Sequence, residues 1–110
     1  MAATLIVLFN LKQGKSPEDY ERWAVTTDIK TVKGLGSVDD FKLYKTGGLL
    51  MSDDAPPYRY VEVIEVADMD AFGADVASET MKKVAAEFQE FADNPLFLLT
   101  HDVEARLGRA

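Results

Sequence analysis

Two glutamates on one predicted strand are the first residues in this sequence whose spacing points to chemistry. In the run PYRYVEVIEV, Glu62 and Glu65 are an odd number of positions apart. Side chains of a strand alternate between its two faces, so the two carboxylates must point in opposite directions. If one face of the strand packs against a core, one glutamate is enclosed, and burial raises the pKa of an enclosed carboxyl toward neutrality. Such a group is suited to general acid-base catalysis.

Two interpretations of these glutamates follow from the sequence. Glu62 and Glu65 could lie near strand ends or pair with a nearby cation such as Arg59, because buried carboxylates are usually paired. Alternatively, Glu62 lines a cavity between the sheet and the helices as a catalytic residue. In that arrangement Tyr60, which shares the strand face of Glu62, is a candidate for substrate binding.

His101 is the only histidine and a further candidate for catalysis. It is predicted to lie on the last strand, on the face that carries Phe97 and Leu99. A lone histidine there is often structural, yet imidazole titrates near neutrality and is the commonest general acid or base. Facing Glu62 or Asp28 across a pocket, it would complete a proton-transfer pair. One histidine and no cysteine do not supply the imidazole or thiolate ligands of a zinc or iron site, so we expect no metal.

The first predicted helix has small and polar residues in the middle of its sheet-facing side, where a packed core favours large apolar residues. Its sheet-facing stripe at helical spacing consists of Tyr20, Trp23, Ala24, Thr27, Thr31 and Leu35. Asp28 is predicted to lie on the flank of this stripe. Either the two threonines bond back to helix carbonyls, or Trp23, Thr27 and Thr31 bind a substrate in a pocket where Asp28 is a polar and candidate catalytic group.

Local signals order these residues along a β-α-β-β-α-β chain. The predicted elements are strand 4–12, helix 17–33, strands 37–46 and 57–66, a helical region 68–94 with a break near Ser78, and strand 96–105. Ser16 is a natural N-cap, Pro17 suits the first turn, and Gly34 ends the helix. This order is typical of the ferredoxin-like α+β fold, an antiparallel four-stranded sheet with both helices on one face. The whole chain, 1–110, is predicted to be one domain.

The face of the sheet away from the helices is predicted to be apolar as well. In the first strand, Leu5 and Val7 point one way while Ile6 and Leu8 point the other. Two helices cannot cover both faces, and an exposed apolar face of this size is an association surface. We therefore expect a homodimer in which two sheets pack face to face, which is a dimeric α+β barrel.

Composition argues against several classes of partner. The net charge of −7 and the lack of a basic run are unfavourable for binding nucleic acid or an anionic membrane. The absence of cysteine fits a reducing compartment, so we expect a cytoplasmic protein. No dinucleotide- or phosphate-binding loop occurs, so we expect catalysis, where it takes place, to be acid-base or positional work on a substrate that brings its own reactivity.

The segment from Gly47 to Pro57 is turn-like but contains the apolar run Leu49, Leu50 and Met51. We expect it to extend the hairpin or complete a dimer contact. The alternative is a lid over the mouth of a pocket, as is common for loops of this length.

Five runs of sequence together resemble the REDY-like HapK family. They are LFNLKQGKSPEDYERWA, which Asp28 follows, PPYRYVEVIEV, DMDAF, SETM and EFQEFADNPLFLLTHDV. The resemblance extends from Leu5 to Val103. It implies a dimeric α+β barrel with an accessory or tailoring role in pigment and alkaloid biosynthesis, in prodigiosin-type pyrrole or tryptophan-derived bisindole pathways. It implies no particular catalytic residues.

By this resemblance the ligand is a flat, nitrogen-containing aromatic intermediate, converted without a cofactor by assisted hydrolysis, cyclisation or tautomerisation. Two alternatives stay open at this point. One is a non-catalytic binding protein that protects or delivers the intermediate. The other is a cofactor-free monooxygenase of the same architecture.

Overall fold

The structure, a computed structural model, describes residues 1–107, with the backbone alone at position 106. The elements in chain order are β1 (Ala3–Leu11), α1 (Pro17–Trp23), a π-helical segment (Ala24–Asp28), α2 (Ile29–Lys33), β2 (Val38–Lys45), β3 (Tyr60–Val66), α3 (Met69–Asp75), α4 (Glu79–Phe91), β4 (Ala92–Thr100) and α5 (Val103–Leu107). The three consecutive helical pieces from α1 to α2 follow one another without a break and are called helix 17–33 below. Among the described residues, no helix has both the length and the apolar character needed to cross a membrane.

The four strands form one antiparallel sheet in the order β2-β3-β1-β4. This order and the placement of the helices confirm the predicted ferredoxin-like α+β fold. In the centre of the sheet, Val7 of β1 lies opposite Glu62 of β3, and Ile6 lies opposite Val63. The register therefore assigns Glu62 to the face that packs on the helices and Val63 to the other face, which we call the open face.

Side-chain caps fix where the helices begin. The Ser16 hydroxyl accepts a hydrogen bond from the backbone N–H of Asp19 at 3.0 Å, and Pro17 occupies the first turn. The predicted break in the second helical region is also confirmed, because the Ser78 hydroxyl caps α4 by accepting from the backbone N–H of Met81 at 3.2 Å. Each cap satisfies one of the N–H groups that a helix start leaves without an intrahelical partner.

Aromatic side chains fill the core between the sheet and the helices. Phe9, Tyr20 and Tyr60 are completely buried. The Phe9 ring stacks on the Tyr60 ring with 5.5 Å between centroids, and it meets the edge of Phe88 at 5.0 Å. Stacked and edge-to-face contacts of this kind stabilise a core beyond the area that they bury. The rings also hold the centre of β3 in a fixed position against helix 17–33.

The open face is apolar, as predicted, and nothing in the described chain covers it. Ile6 and Val63 on the central strands are half-buried. On the edge strand β4, Leu96 and Leu98 have the same orientation and remain substantially exposed. The sheet therefore presents a continuous apolar surface opposite the helix layer.

The last strand differs from its prediction at both ends. It begins at Ala92 rather than beyond Pro95, because a shift of register opposite β1 places Asn94, with φ of 46°, in an irregularity that lets the proline join an edge strand. It ends at Thr100, and α5 follows. The prediction of a strand over 96–105, with His101 on its apolar face, is therefore wrong. The Asp102 carboxylate accepts from the N–H of Ala105 at 2.9 Å and favours the helix instead.

The segment between β2 and β3 is an exposed loop. A single bridge joins Leu49 to Ser52, so the hairpin is scarcely extended. Leu50 and Met51 at its tip are 97% and 91% exposed. Its roles as a dimer contact or as a lid stay predictions.

Candidate functional site

Asp28 enters the core because helix 17–33 contains a π turn. The N–H of Ile29 donates to the carbonyl of Ala24, five residues back, which is the π-helical pattern. In a regular α-helix, residues spaced four apart move gradually around the helix axis, because one turn has 3.6 residues. The π turn has more residues per turn and so brings residues spaced four apart back onto one side of the helix. The buried residues Tyr20, Ala24, Asp28 and Val32 consequently share one face. The prediction that Asp28 lies on the flank is wrong, since its side chain is only 5% exposed.

Glu62 lies in the middle of β3, between Val7 of β1 and Leu43 of β2. It is 4% exposed, whereas Glu65 on the opposite face is exposed. Among the described residues, no cation lies within the 4.0 Å of a salt bridge from the Glu62 carboxylate. Of the two interpretations of Glu62, the structure therefore supports an enclosed carboxyl without a cationic partner.

The two buried carboxyl groups titrate near neutral pH. Burial raises the pKa of Asp28 to about 7. Burial, and then the negative charge of Asp28, raise the pKa of Glu62 to about 8, while the nearby Tyr20 hydroxyl acts in the opposite direction. Carboxyls that interact this closely titrate as a pair rather than one by one. The pair thus retains a proton at neutral pH and has the balance of acid and base that proton transfer needs.

Tyr20 is the third polar group at this place. Burial, with the charges of Glu62 and Asp28, raises the pKa of Tyr20 so far that its hydroxyl stays protonated. Although the Tyr20 hydroxyl and the Glu62 carboxyl are neighbours, neither the hydroxyl nor Glu62 Oε2 has a hydrogen bond of normal geometry within the described part of the chain. A buried polar atom without a partner costs roughly 1–3 kcal/mol. Tyr20 was predicted to lie on the sheet-facing stripe but not to be a site residue, and its spacing of eight from Asp28 was the available signal.

Trp23 and Tyr60 both lie against the Tyr20 ring, and the polar atoms of both already have partners. The half-buried Trp23 ring lies 6.0 Å from Tyr20 between ring centroids, and its Nε1–H donates to Glu87 Oε1 at 2.9 Å. The Tyr60 hydroxyl donates to Glu21 Oε2 at 2.6 Å, so its polar end is already occupied. Trp23 can thus form an aromatic wall, while Tyr60 supports the core beneath Tyr20 at a centroid distance of 4.9 Å.

Thr27 and Thr31 are half-buried on the same helix as Asp28. The threonine hydroxyl that bonds back to the helix belongs to Thr26, which donates to the carbonyl of Arg22 at 2.7 Å. The hydroxyls of Thr27 and Thr31 have no hydrogen bond within residues 1–107. They stay available as polar contacts beside Asp28.

His101 is not brought together with the carboxyl pair. It is exposed, follows the end of β4, and lines a surface depression of about 370 Å³ with Asp39, Glu65 and Asp102. These residues lie at the end of the sheet where β2 begins and β3 ends, and at the start of the C-terminal segment. The structure therefore assembles Glu62 and Asp28 and adds Tyr20, but it leaves His101 at another place.

Comparison with known families gives a match over nearly the whole chain. The family model described as REDY-like protein HapK matches residues 3–103. The crystal structure of HapK from Hahella chejuensis is 30% identical in sequence, with a TM-score of 0.70 over 89% of this chain and 90% of that chain. No curated protein sequence matches the chain.

More distant solved structures share the fold. A dimeric ferredoxin-like protein of unknown function from Thermobifida fusca is 17% identical, with a TM-score of 0.74 over 93% of this chain and 92% of that chain. A mutant of SnoaB, a cofactor-independent oxygenase from Streptomyces nogalater, is 16% identical, with a TM-score of 0.73 over 93% of each chain. At these identities the likeness shows the ferredoxin-like architecture alone.

Proposed function

Because the chain belongs to the REDY-like HapK family, we propose that it is a cofactor-independent tailoring or accessory protein of secondary metabolism. Its ligand would be a small nitrogen-containing aromatic intermediate of pyrrole or indole type. The protein would promote hydrolysis, cyclisation or tautomerisation of this intermediate by acid-base assistance. The observation that carries the proposal is the pair of buried carboxyls, Asp28 and Glu62, with pKa values near neutrality.

The carboxyl pair is unfavourable for stability, which is the first argument for a functional role. Two carboxyls enclosed without a cation lose their hydration, and apolar residues of similar volume often stabilise a core better. Their presence at the centre of an otherwise aromatic core therefore needs a reason other than folding. Strongly shifted pKa values together with a specific charged neighbour are typical of functional sites.

The unpartnered atoms indicate what kind of group the ligand presents. Glu62 Oε2 has no hydrogen bond of normal geometry within the described chain, although the Tyr20 hydroxyl lies near enough to lower the pKa of Glu62. A pyrrole or indole N–H is a donor on a flat ring, so it would satisfy this oxygen while the ring packs beside Trp23. The half-buried hydroxyls of Thr27 and Thr31 would orient the ligand from the helix side.

The proposed roles follow from the protonation states. The ionised member of the Asp28–Glu62 pair accepts a proton from the ligand, and the protonated member returns a proton at another ring atom or at an imine nitrogen. The Tyr20 hydroxyl, which remains protonated, donates to a developing negative charge. We give His101 no part in this step, because it is exposed and lies apart from the pair.

We also propose that the protein is a homodimer joined through its open faces. An apolar sheet surface of this extent is unfavourable in water and is matched by an identical surface on a second copy. A cytoplasmic location and the absence of a cofactor stay predictions. The dimer leaves the carboxyl pair on the helix side of each sheet, so each copy would contain a complete site.

The test is to incubate the purified protein with pyrrole, bipyrrole, indole and bisindole compounds and to follow product masses by mass spectrometry. Glu62→Gln and Asp28→Asn should lower turnover at least about a hundredfold, because the acid-base pair is lost. Glu65→Gln, the same change on the opposite face of the strand, should retain full turnover. Including His101→Ala tests whether the exposed histidine contributes.

Three results would contradict the proposal in different ways. Saturable binding without any new mass would indicate a carrier. Oxygen consumption coupled to product formation would indicate a monooxygenase. Thermal stability unaffected by every compound would mean that the ligand class is wrong.

A further inference from the structure

Four basic side chains lie together at the end of the sheet where β1 ends and β3 begins. Lys12, Lys15 and Arg59 line one surface depression of about 340 Å³. Arg59 also lines an adjoining depression of about 410 Å³ with Lys45. We call these four residues the cationic rim. In a chain of net charge −7, such a grouping provides a local positive potential on a surface that is otherwise acidic.

Most charge in the rim is not neutralised by neighbours. Elsewhere on the described chain, three basic side chains pair with acidic ones, in Arg22–Asp19, Lys33–Asp40 and Lys82–Glu79, whereas Lys30, Lys42 and Lys83 have no carboxylate within 4.0 Å. In the rim, Lys45 pairs with Glu21 at 3.0 Å. Within residues 1–107, Lys12, Lys15 and Arg59 have no carboxylate within 4.0 Å. The depressions are therefore bordered by three positive charges that a bound anion could neutralise.

The backbone under the central arginine is held firmly. The N–H of Arg59 donates to Asn10 Oδ1 at 2.9 Å, and Asn10 Nδ2 donates to the carbonyl of Pro57 at 3.0 Å. The next residue, Tyr60, is anchored in the core by its stacked ring. Asn10 and Arg59 each border both depressions, so the side chain that fixes the backbone lies beside the arginine in both. Less conformational freedom is then lost when the arginine engages a ligand.

We propose that the cationic rim binds the oxyanion of a small molecule, a carboxylate or a phosphate group, with Arg59 as the central contact. The guanidinium fork matches the geometry of these groups and can bind two oxygens at once. Lys12 and Lys15, which have no carboxylate partner in the described chain, add long-range attraction. A nucleic acid does not fit, because its backbone would extend beyond the rim onto a negatively charged surface.

The test is a ¹H–¹⁵N NMR titration of the intact protein with inorganic phosphate, and separately with acetate, at constant ionic strength adjusted with chloride. We expect saturable shifts at the Arg59 side-chain N–H and at the backbone of Gly14, which lines the first depression. Tighter binding of phosphate identifies a phosphate-bearing ligand, and tighter binding of acetate identifies a carboxylate. No aromatic compound is present, so the outcome does not depend on the function proposed for the carboxyl pair.

Arg59→Gln should weaken oxyanion binding at least about tenfold, because a hydrogen bond between charged groups is lost. The matched control is Arg22→Gln, which removes the same charge from an exposed position on α1 outside the rim. It should retain the affinity of the unmodified protein. Shifts that grow linearly without saturation, or equal losses in the two variants, would overturn the proposal.

Discussion

The two faces of the sheet lack different kinds of partner, and the two glutamates on β3 show the difference. The covered face has helices and aromatic rings over it, yet it encloses Glu62 at 4% exposure among apolar neighbours. The open face has no cover, yet its central residues Ile6 and Val63 are apolar, and Glu65 remains in water. One face therefore contains polar atoms without partners, and the other contains apolar surface without partners.

The comparison indicates two kinds of missing partner. A buried acceptor is satisfied by a small ligand that brings a donor into the core. An exposed apolar sheet is satisfied by a second apolar sheet. Because these needs differ in chemistry, variants on one face should leave the properties of the other face intact. Variants confined to one face therefore test whether the two faces are independent.

The largest effect should be the dependence of stability on pH, which arises from the covered face. The pKa of Glu62 is raised from 4.5 to about 8 in the folded protein, so the folded state binds more protons than the unfolded state between these values. The stability that Glu62 contributes should therefore be fully present below about pH 4.5 and be lost as pH rises through 8. At pH 8.5, Glu62→Gln should raise the free energy of unfolding by roughly 3–5 kcal/mol, and at pH 4.5 by little.

Urea unfolding at one fixed protein concentration measures this effect. Glu65→Gln is the matched control on the same strand, and its stability should follow the pH dependence of the unmodified protein. Asp28→Asn should act in the same direction as Glu62→Gln, since the pKa of Asp28 is raised from 3.8 to about 7 by burial. Equal stability of the unmodified protein at pH 5 and pH 8.5 would show that the two carboxyls are hydrated after all.

The sequence pointed to both members of the carboxyl pair as candidates, but it left the burial of Glu62 as one of two interpretations and placed Asp28 on the flank of its helix. Strand alternation alone separates Glu62 from Glu65, because the side-chain period of a strand is two whatever its surroundings. Asp28 could not be placed in the same way. Its burial depends on a π turn, in which the hydrogen bond spans five residues, and a pattern analysed at 3.6 residues per turn does not contain that change. The only sign of the π turn in the sequence is the strict spacing of four residues between Tyr20, Ala24, Asp28 and Val32, which are all buried.

A charge on the open face should have the second largest effect, a weakening of the proposed homodimer. Ile6 lies between Val63 of β3 and Leu98 of β4, near the centre of this face. Ile6→Glu would bring a charge into the proposed sheet-to-sheet contact, where it loses hydration. We expect the dissociation constant of the homodimer to rise at least about a hundredfold, which corresponds to about 2.7 kcal/mol.

Sedimentation velocity over a range of concentrations measures the dimer directly. Lys83→Glu, which introduces a glutamate at an exposed position on α4, is the control and should leave the dimer intact. The pKa values of Asp28 and Glu62 should be unchanged in both variants if the two faces are independent. An unmodified protein that sediments as a monomer at micromolar concentration would defeat the dimer.

The edge of the sheet shows where the sequence signals failed for a different reason. The last strand was predicted to begin directly after Pro95, because proline usually lies at the margin of a strand. An irregularity at Asn94 lets the strand begin at Ala92, and such local shifts depend on pairing with β1 rather than on the segment itself. The strand also ends at Thr100, so His101 was assigned to a face that it does not reach.

The smallest effect should be the difference in free energy of unfolding between two Tyr→Phe variants on the covered face. Tyr60→Phe retains the ring that stacks on Phe9 but removes the hydrogen bond to Glu21, which is partly exposed and also paired with Lys45. We expect a loss of about 1 kcal/mol in the free energy of unfolding. Tyr20→Phe is the matched variant, and it removes a buried hydroxyl that has no partner in the described chain.

Removing an unpartnered hydroxyl should leave stability unchanged or raise it slightly, because the buried oxygen no longer lacks its hydration. Urea unfolding at pH 5 compares the free energies of unfolding of the two variants. At this pH Glu62 is protonated in the folded protein, so its ionisation does not contribute to the difference. If Tyr20→Phe costs as much as Tyr60→Phe, the Tyr20 hydroxyl already has a partner, such as a bound water molecule. The covered face would then be complete without a ligand, and the contrast between the two faces would rest on the open face alone.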